Sequence, residues 1–458
     1  MIRRIRWSNG RPATAAWIVL LVAAGLIAVP SLWAWAAAPA YPGPLEYGEG
    51  SVAHAGQLIA RGADPYAPQP AGTFVAAIYP PVSYLIAAAG APFGPFVGLR
   101  IASLAATIAV AALVAVAARR RVAVAVALGV AYLATMPVRA WAGAHRPDDL
   151  AVVLTAGAVL AAGSTWRRAA GAGVLGALAI FTKQTAIVPL AFVLVYLLLW
   201  DRTAGRRLAV TLGLSVAALA LLSALIFGPR DVLDHVVGRN ATEFSTDDAL
   251  AFTTLAVLAL GAFVLVAARV ASGRMRAYLL GAFVVVLLAG RAGASINFEL
   301  DLGAAAVLGI ATAPTARGLG IPLVVAAQLV FVSAITTFGL IGGAAVAAAP
   351  PVSPAPVFAV GAHHLAEDSG VLIAAGIEPD VDELFVWSHL VALGRFPDDV
   401  TPRVRQGGFA TITSSAPLDQ LDSWPIQRER WLPALVDAVL ARYRLESSGP
   451  GNYRYVPR

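Results

Sequence analysis

The chain has 458 residues, 59% of them hydrophobic and only 13% charged, with a mean hydropathy of +0.75. Soluble domains carry about 25% charged residues, so the composition excludes an ordinary soluble globule and points to a membrane protein. There is no cysteine, which excludes disulfides and thiolate metal sites, and the net charge of +7 is laid out for membrane topology rather than for nucleic acid.

Apolar segments of about 20 residues span a bilayer. Eleven candidates follow in order at 14–38, 96–118, 122–138, 150–165, 169–182, 185–200, 208–227, 250–268, 277–290, 302–314 and 320–348, several of them short. The first is read as an uncleaved anchor, because its apolar stretch exceeds the about 7–15 residues of a signal peptide. Segment 80–92, "PPVSYLIAAAGAP", is short and Pro-rich and reads as a membrane-surface or re-entrant helix. After residue 350 the composition shifts. "APPVSPAP" reads as a linker, and 356–458 hold 13 of the 26 acids among short apolar runs. The expected fold is an all-α polytopic membrane domain of about eleven transmembrane helices over 1–350, then a small extracytoplasmic α/β domain over 351–458.

With the N-terminus placed inside, the inner connections carry 16 Lys/Arg against the single acid Asp201, and the outer ones 6 against 12. That asymmetry follows the positive-inside rule for a multi-pass protein of the plasma membrane. Only Arg100 and Lys183 interrupt the apolar segments with a charge. Charges at membrane depth are costly and suggest function, although both residues lie near helix ends, where a long side chain can snorkel to the interface.

Four polar clusters gather on the outer side: Glu46, Glu49, His54 and Tyr66 with "YPP" at 79–81; "RAWAGAHRPDD" at 139–149; "FTKQT" at 181–185; and "GRAGASINFELD" at 290–301. Each alone reads as solvated loop charge, but together they can line one cavity. "NAT" at 240–242 is a sequon of a kind frequent by chance, and there is no Gly-rich phosphate loop or dinucleotide fingerprint.

The order of these motifs resembles the GT-C superfamily of polytopic glycosyltransferases, especially bacterial relatives of protein O-mannosyltransferases and the lipid A aminoarabinose transferases. The resemblance rests on Glu49, Gly62 and Tyr66 in the first outer loop, then "YPPVSY" at 79–84 and "ARRR" at 118–121. It continues through "RPDDLAVVL" at 146–154, "IFTKQTAIV" at 180–188 and "INFEL" at 296–300. One departure is that the first-loop acid is Glu here, where the superfamily commonly has Asp.

The resemblance implies a GT-C-like fold and transfer of a sugar, with inversion, from a polyprenyl-phosphate donor to an extracytoplasmic hydroxyl on a lipid, protein or glycan acceptor. A first-loop carboxylate is then the general base, with Glu49 preferred to Glu46, and Asp148 orients substrate. Lys183, the only lysine of the chain, is expected on the donor phosphate with Arg146, Arg139 or Arg291. Tyr79, His54, His145, Gln184, Asn297 and Glu299 are the expected substrate contacts, and a groove opening at "YPP" is expected to hold the lipid tail. Some families on this fold use a divalent metal and others do not, so Mg²⁺ or Mn²⁺ held by Glu49 and Asp148 stays open. The alternative function is a transporter or lipid flippase, but no inverted repeat is evident and the polar residues crowd one face rather than the midplane.

Overall fold

The computed structural model describes residues 11–118, 122–313, 320–337, 358–449 and 451–458. The basic segments before residue 11, at 119–121 and at Arg317, and most of the linker after residue 350, lie outside the described residues.

The membrane part runs α1 (Arg11–Ala37), α2 (Glu49–Ala60), α3 (Pro81–Gly90), α4 (Val97–Ala117), α5 (Val122–Leu133), α6 (Met136–Trp141), α7 (Asp148–Ala161) and α8 (Trp166–Thr182). It continues with α9 (Ile187–Trp200), α10 (Arg202–Phe227), α11 (Pro229–Leu233), α12 (Thr246–Val270), α13 (Gly273–Leu287), α14 (Leu300–Thr312) and α15 (Gly320–Thr337). A helix lies within each of the eleven predicted spans, with 338–348 of the last outside the described residues. Among the described residues, six segments are long and apolar enough to cross a membrane: Thr14–Ala40, Val97–Ala117, Arg202–Phe227, Thr246–Val270, Gly273–Gly290 and Gly320–Thr337. Leu26, Trp33, Leu221 and Leu225 are exposed on such helices, as lipid-facing residues of a multi-pass membrane protein are. Segment 80–92 forms the ten-residue α3, which starts at the second proline of "YPP" and is too short to span.

The bundle is built around α14. Every residue from Leu300 to Ala311 is buried, and the helix packs against α12, α13, α4, α7 and α5. Small side chains allow that density; Gly309, for example, would bring a Cβ within 3.3 Å of Ala267 and Ala271.

The C-terminal residues form a four-stranded sheet of β1 (His364–Ala366), β2 (Thr411–Ser414), β3 (Tyr443–Gly449) and β4 (Asn452–Pro457), in the order β1-β2-β4-β3. β1 and β2 are parallel and the other pairs antiparallel. Helices α16 (Gly370–Ala374), α17 (Leu384–Ala392), α18 (Val400–Arg405), α19 (Pro425–Arg428) and α20 (Pro433–Arg442) fall between the strands. Trp387, Leu384, Ile412 and Leu435 form its core. The unit is stitched to the first loop: the Phe74 amide donates to Asp380 O at 2.7 Å and the Asp382 amide to Phe74 O at 3.0 Å. Gly50 makes this approach possible, because a Cβ there would collide with Ser369 and Gly370.

Candidate active site

At the end of the bundle that carries the C-terminal unit, a polar cavity of about 430 Å³ draws on all four clusters marked in the sequence. The first loop contributes Glu46, Tyr47 and Tyr79, the second Arg146, the third Lys183 and Gln184, and the fourth Arg291, Asn297 and Phe298. A larger groove of about 640 Å³ between α1 and α15 is almost wholly apolar, lined by Val22, Leu26 and Val330, and among the described residues holds no titratable group.

Local backbone geometry aims the polar groups. α8 stops at Lys183, whose φ of −149° and ψ of 123° are extended, so the lysine sits between two helices instead of along one. Its Nζ pairs closely with Asp148 in the first turn of α7, and lies 4.7 Å above the ring of Phe298. Asn297 Nδ2 donates to the same Asp148 oxygen at 2.7 Å. Asp148 does not line the cavity; it stands behind the lysine and holds it.

The two glutamates of "EYGEG" part company. Glu46 lines the cavity, is 26% exposed and forms a 2.9 Å ion pair with Arg146 Nε. The Gly48 amide donates to its Oε2 at 3.0 Å, and among the described residues no hydrogen bond reaches its Oε1. Burial raises its carboxyl above the usual range, against the pull of Arg146. Glu49, expected as the base, has no exposure at all. Its Oε1 accepts from Arg100 Nε at 3.2 Å and from the His145 backbone amide, and its Oε2 from Arg100 Nη2 at 2.5 Å and the Leu45 amide at 2.7 Å. A carboxylate has about four lone-pair sites and all are filled. Arg100 is equally saturated: its other three N–H groups reach Ala38 O at 2.9 Å, Tyr41 O at 2.6 Å and Gly43 O at 2.6 Å. Arg100 therefore does not snorkel; it clamps the first loop. Gly48 makes room for Arg146, whose guanidinium a Cβ there would strike.

Several other expected contacts lie outside the cavity. Arg139 donates from Nε to Ser31 Oγ at 3.3 Å. His145 is buried with Nδ1 2.6 Å from Phe96 O, and burial holds it down at about 3, hence neutral. His54 sits on α2 with Nδ1 3.1 Å from Asp382 and Nε2 3.6 Å from Glu378. Glu299 is buried beside the wall, neither oxygen has a partner among the described residues, and burial raises it to about 8. The pairing of Glu49 with Asp148 around Mg²⁺ or Mn²⁺ does not fit, because all four lone-pair sites of Glu49 are taken by Arg100, the His145 amide and the Leu45 amide.

Other residues complete the wall without a signal in the sequence. Arg239 and Asn240, the latter from the discounted sequon, line the cavity from the loop before α12. Glu383, Glu429 and Arg430 do so from the C-terminal unit. Burial raises Glu383 to about 7, against the pull of Arg146. Arg430 pairs with Glu367 at 2.7 Å and lies 3.8 Å above the ring of Tyr47.

No protein-family model matches the chain, and no curated protein matches it either. Solved structures do. ArnT from Cupriavidus metallidurans in the apo state superimposes with a TM-score of 0.58 at 16% identity, covering 97% of this chain and 98% of that one. The same protein bound to undecaprenyl phosphate gives a TM-score of 0.58 at 14% identity, covering 96% and 97%. ArnT is a lipid A aminoarabinose transferase of the GT-C type. Over nearly its whole length, C-terminal unit included, this chain has the fold of ArnT.

Proposed function

We propose that the chain is a membrane glycosyltransferase that moves a sugar from a polyprenyl phosphate to an acceptor hydroxyl, inverting the anomeric centre. The observation that carries this reading is the cavity, where a carboxylate with a free oxygen, Glu46, shares a wall with Lys183, Arg146 and Arg291 at the end of an apolar bundle. A lipid phosphate requires cations beside a hydrophobic surface, and a hydroxyl nucleophile requires a base. Undecaprenyl phosphate bound to ArnT supports the donor class.

In this reading Glu46 Oε1 takes the acceptor proton as the new C–O bond forms. Such general-base catalysis is worth about 10²–10⁴-fold. The sugar–phosphate C–O bond breaks on the opposite face, and Lys183 and Arg291 stabilise the charge gathering on the leaving phosphate. Asp148 fixes the lysine, and Arg146 pairs with Glu46 at the cavity wall. In this reading the eleven helices are all spans, the N-terminus is cytoplasmic, and the cavity and C-terminal unit lie outside, which the distribution of basic residues supports.

Incubating the purified full-length chain with a panel of labelled undecaprenyl-phosphate sugars and membrane extract tests the proposal. Label should leave the donor for an acceptor. No consumption of any donor, with protein shown to be folded, would sink it.

A further inference from the structure

Glu383 occupies the N-cap position of α17, where a side chain ordinarily accepts from the first amides of its own helix. It makes no such bond. The orphan Phe385 amide is taken instead by the Tyr47 hydroxyl from the first loop, at 2.9 Å. The carboxylate of Glu383 is thereby released into the cavity wall, where Ser51 Oγ donates to its Oε2 at 3.1 Å.

The segment that carries it is pinned on both sides. Asp382 Oδ1 accepts from the Ala76 amide at 2.8 Å, its Oδ2 meets His54 Nδ1 at 3.1 Å, and its carbonyl accepts from Ser369 Oγ at 2.6 Å. Only 7% of Glu383 is exposed. A buried carboxylate carried on a segment held this firmly, and making no bond to its own helix, is presented to the cavity.

Position says what that is. Lys183 and Arg291 line the cavity from the helix bundle, whereas Glu383 lines it from the C-terminal unit. A lipid-linked sugar with its phosphate on the bundle side extends its ring toward Glu383. We infer that Glu383 is a specificity-determining residue that accepts a hydrogen bond from a ring hydroxyl of the transferred sugar. The inference rests on the glycosyl-transfer reading above.

The test compares two ligands on the full-length protein in lipid nanodiscs: undecaprenyl phosphate, and undecaprenyl phosphate carrying the sugar that wild type turns over. Glu383→Ala should weaken the glycosylated ligand by about 10- to 100-fold, and Glu383→Gln by less, while both leave undecaprenyl phosphate binding unchanged. Neither variant removes a helix cap, so thermal unfolding should stay close to wild type; if the Ala variant does not fold, the Gln variant carries the comparison. Equal weakening of both ligands, or of neither, overturns the inference. So does loss of the acidic limb of the kcat/KM profile in Glu383→Gln, which would make Glu383 the base. Wild type that binds neither ligand refutes the glycosyl-transfer reading itself.

Discussion

Glu46 and Glu49 are three residues apart in the chain, yet one opens onto the cavity and the other is sealed against Arg100. The same short stretch of the second loop holds both: the His145 amide donates to Glu49, and Arg146 pairs with Glu46. One glutamate is fixed in place by chemistry it cannot leave; the other keeps an oxygen free.

Substituting each separates the roles. Glu46→Gln should lower kcat by about 10²–10⁴-fold with little change in thermal stability. Glu49→Gln leaves the Arg100 guanidinium buried without its counter-ion, which costs about 3–5 kcal/mol. Its yield and melting temperature should fall while turnover per folded molecule survives. Melting curves and turnover, both normalised to folded protein, check this, and a stable but inactive Glu49→Gln would reverse the assignment.

Lys183 is the only lysine in the chain, so an amine-directed reagent reports on it and the N-terminus alone. Undecaprenyl phosphate should protect Lys183 from modification, as read by peptide mass spectrometry. Lys183→Ala should weaken undecaprenyl phosphate by about 10- to 100-fold. Lack of protection at saturating lipid would return Lys183 to a purely structural partner of Asp148.

His54 predicts a pH dependence of stability. Burial disfavours the charged ring, but the hydrogen bond to Asp382 and the nearby Glu378 carboxylate outweigh it and raise the group from 6.5 to about 9. A folded-state value above the unfolded one means the contribution is complete below about pH 6.5 and is lost as pH rises through about 9. The melting temperature should therefore decline across that window in wild type and less steeply in His54→Gln. Parallel slopes for the two proteins would exclude His54 as the cause.

Orientation is open to a direct test. A reporter active only in the cytoplasm should work when fused after Arg121, and one active only outside should work after Arg458, given 16 inner against 6 outer basic residues. An external reading at Arg121 would make the Pro81–Gly90 helix part of a true span.

The helices were legible because an apolar run long enough to cross a bilayer has few alternatives, and each predicted span holds a helix. The convergence of Tyr79, Arg146, Lys183 and Asn297 was legible too, because alternate connections of a bundle share a face. The choice between the glutamates was not. The guanidinium that claims Glu49 lies 51 residues further on, in a position that reads equally well as a snorkelling residue. Nor does anything local to Glu383 or Arg430 signal a membrane-side cavity, since their neighbours there come from the first loop, more than 300 residues away.

The burial of α14 bears on how the molecule is assembled. A helix with no lipid-facing residue from Leu300 to Ala311 has no surface of its own to offer the bilayer. The helices that enclose it, α4, α5, α7, α12 and α13, all precede it in the chain, so during synthesis they arrive first and leave a slot lined with small residues. Until α14 enters, that slot exposes the Tyr278 hydroxyl, whose partner Asp301 arrives only with α14 and which lipid cannot satisfy. A chain halted before Leu300 should therefore be a hollow intermediate, readily degraded, while one halted after Thr312 should resist proteolysis.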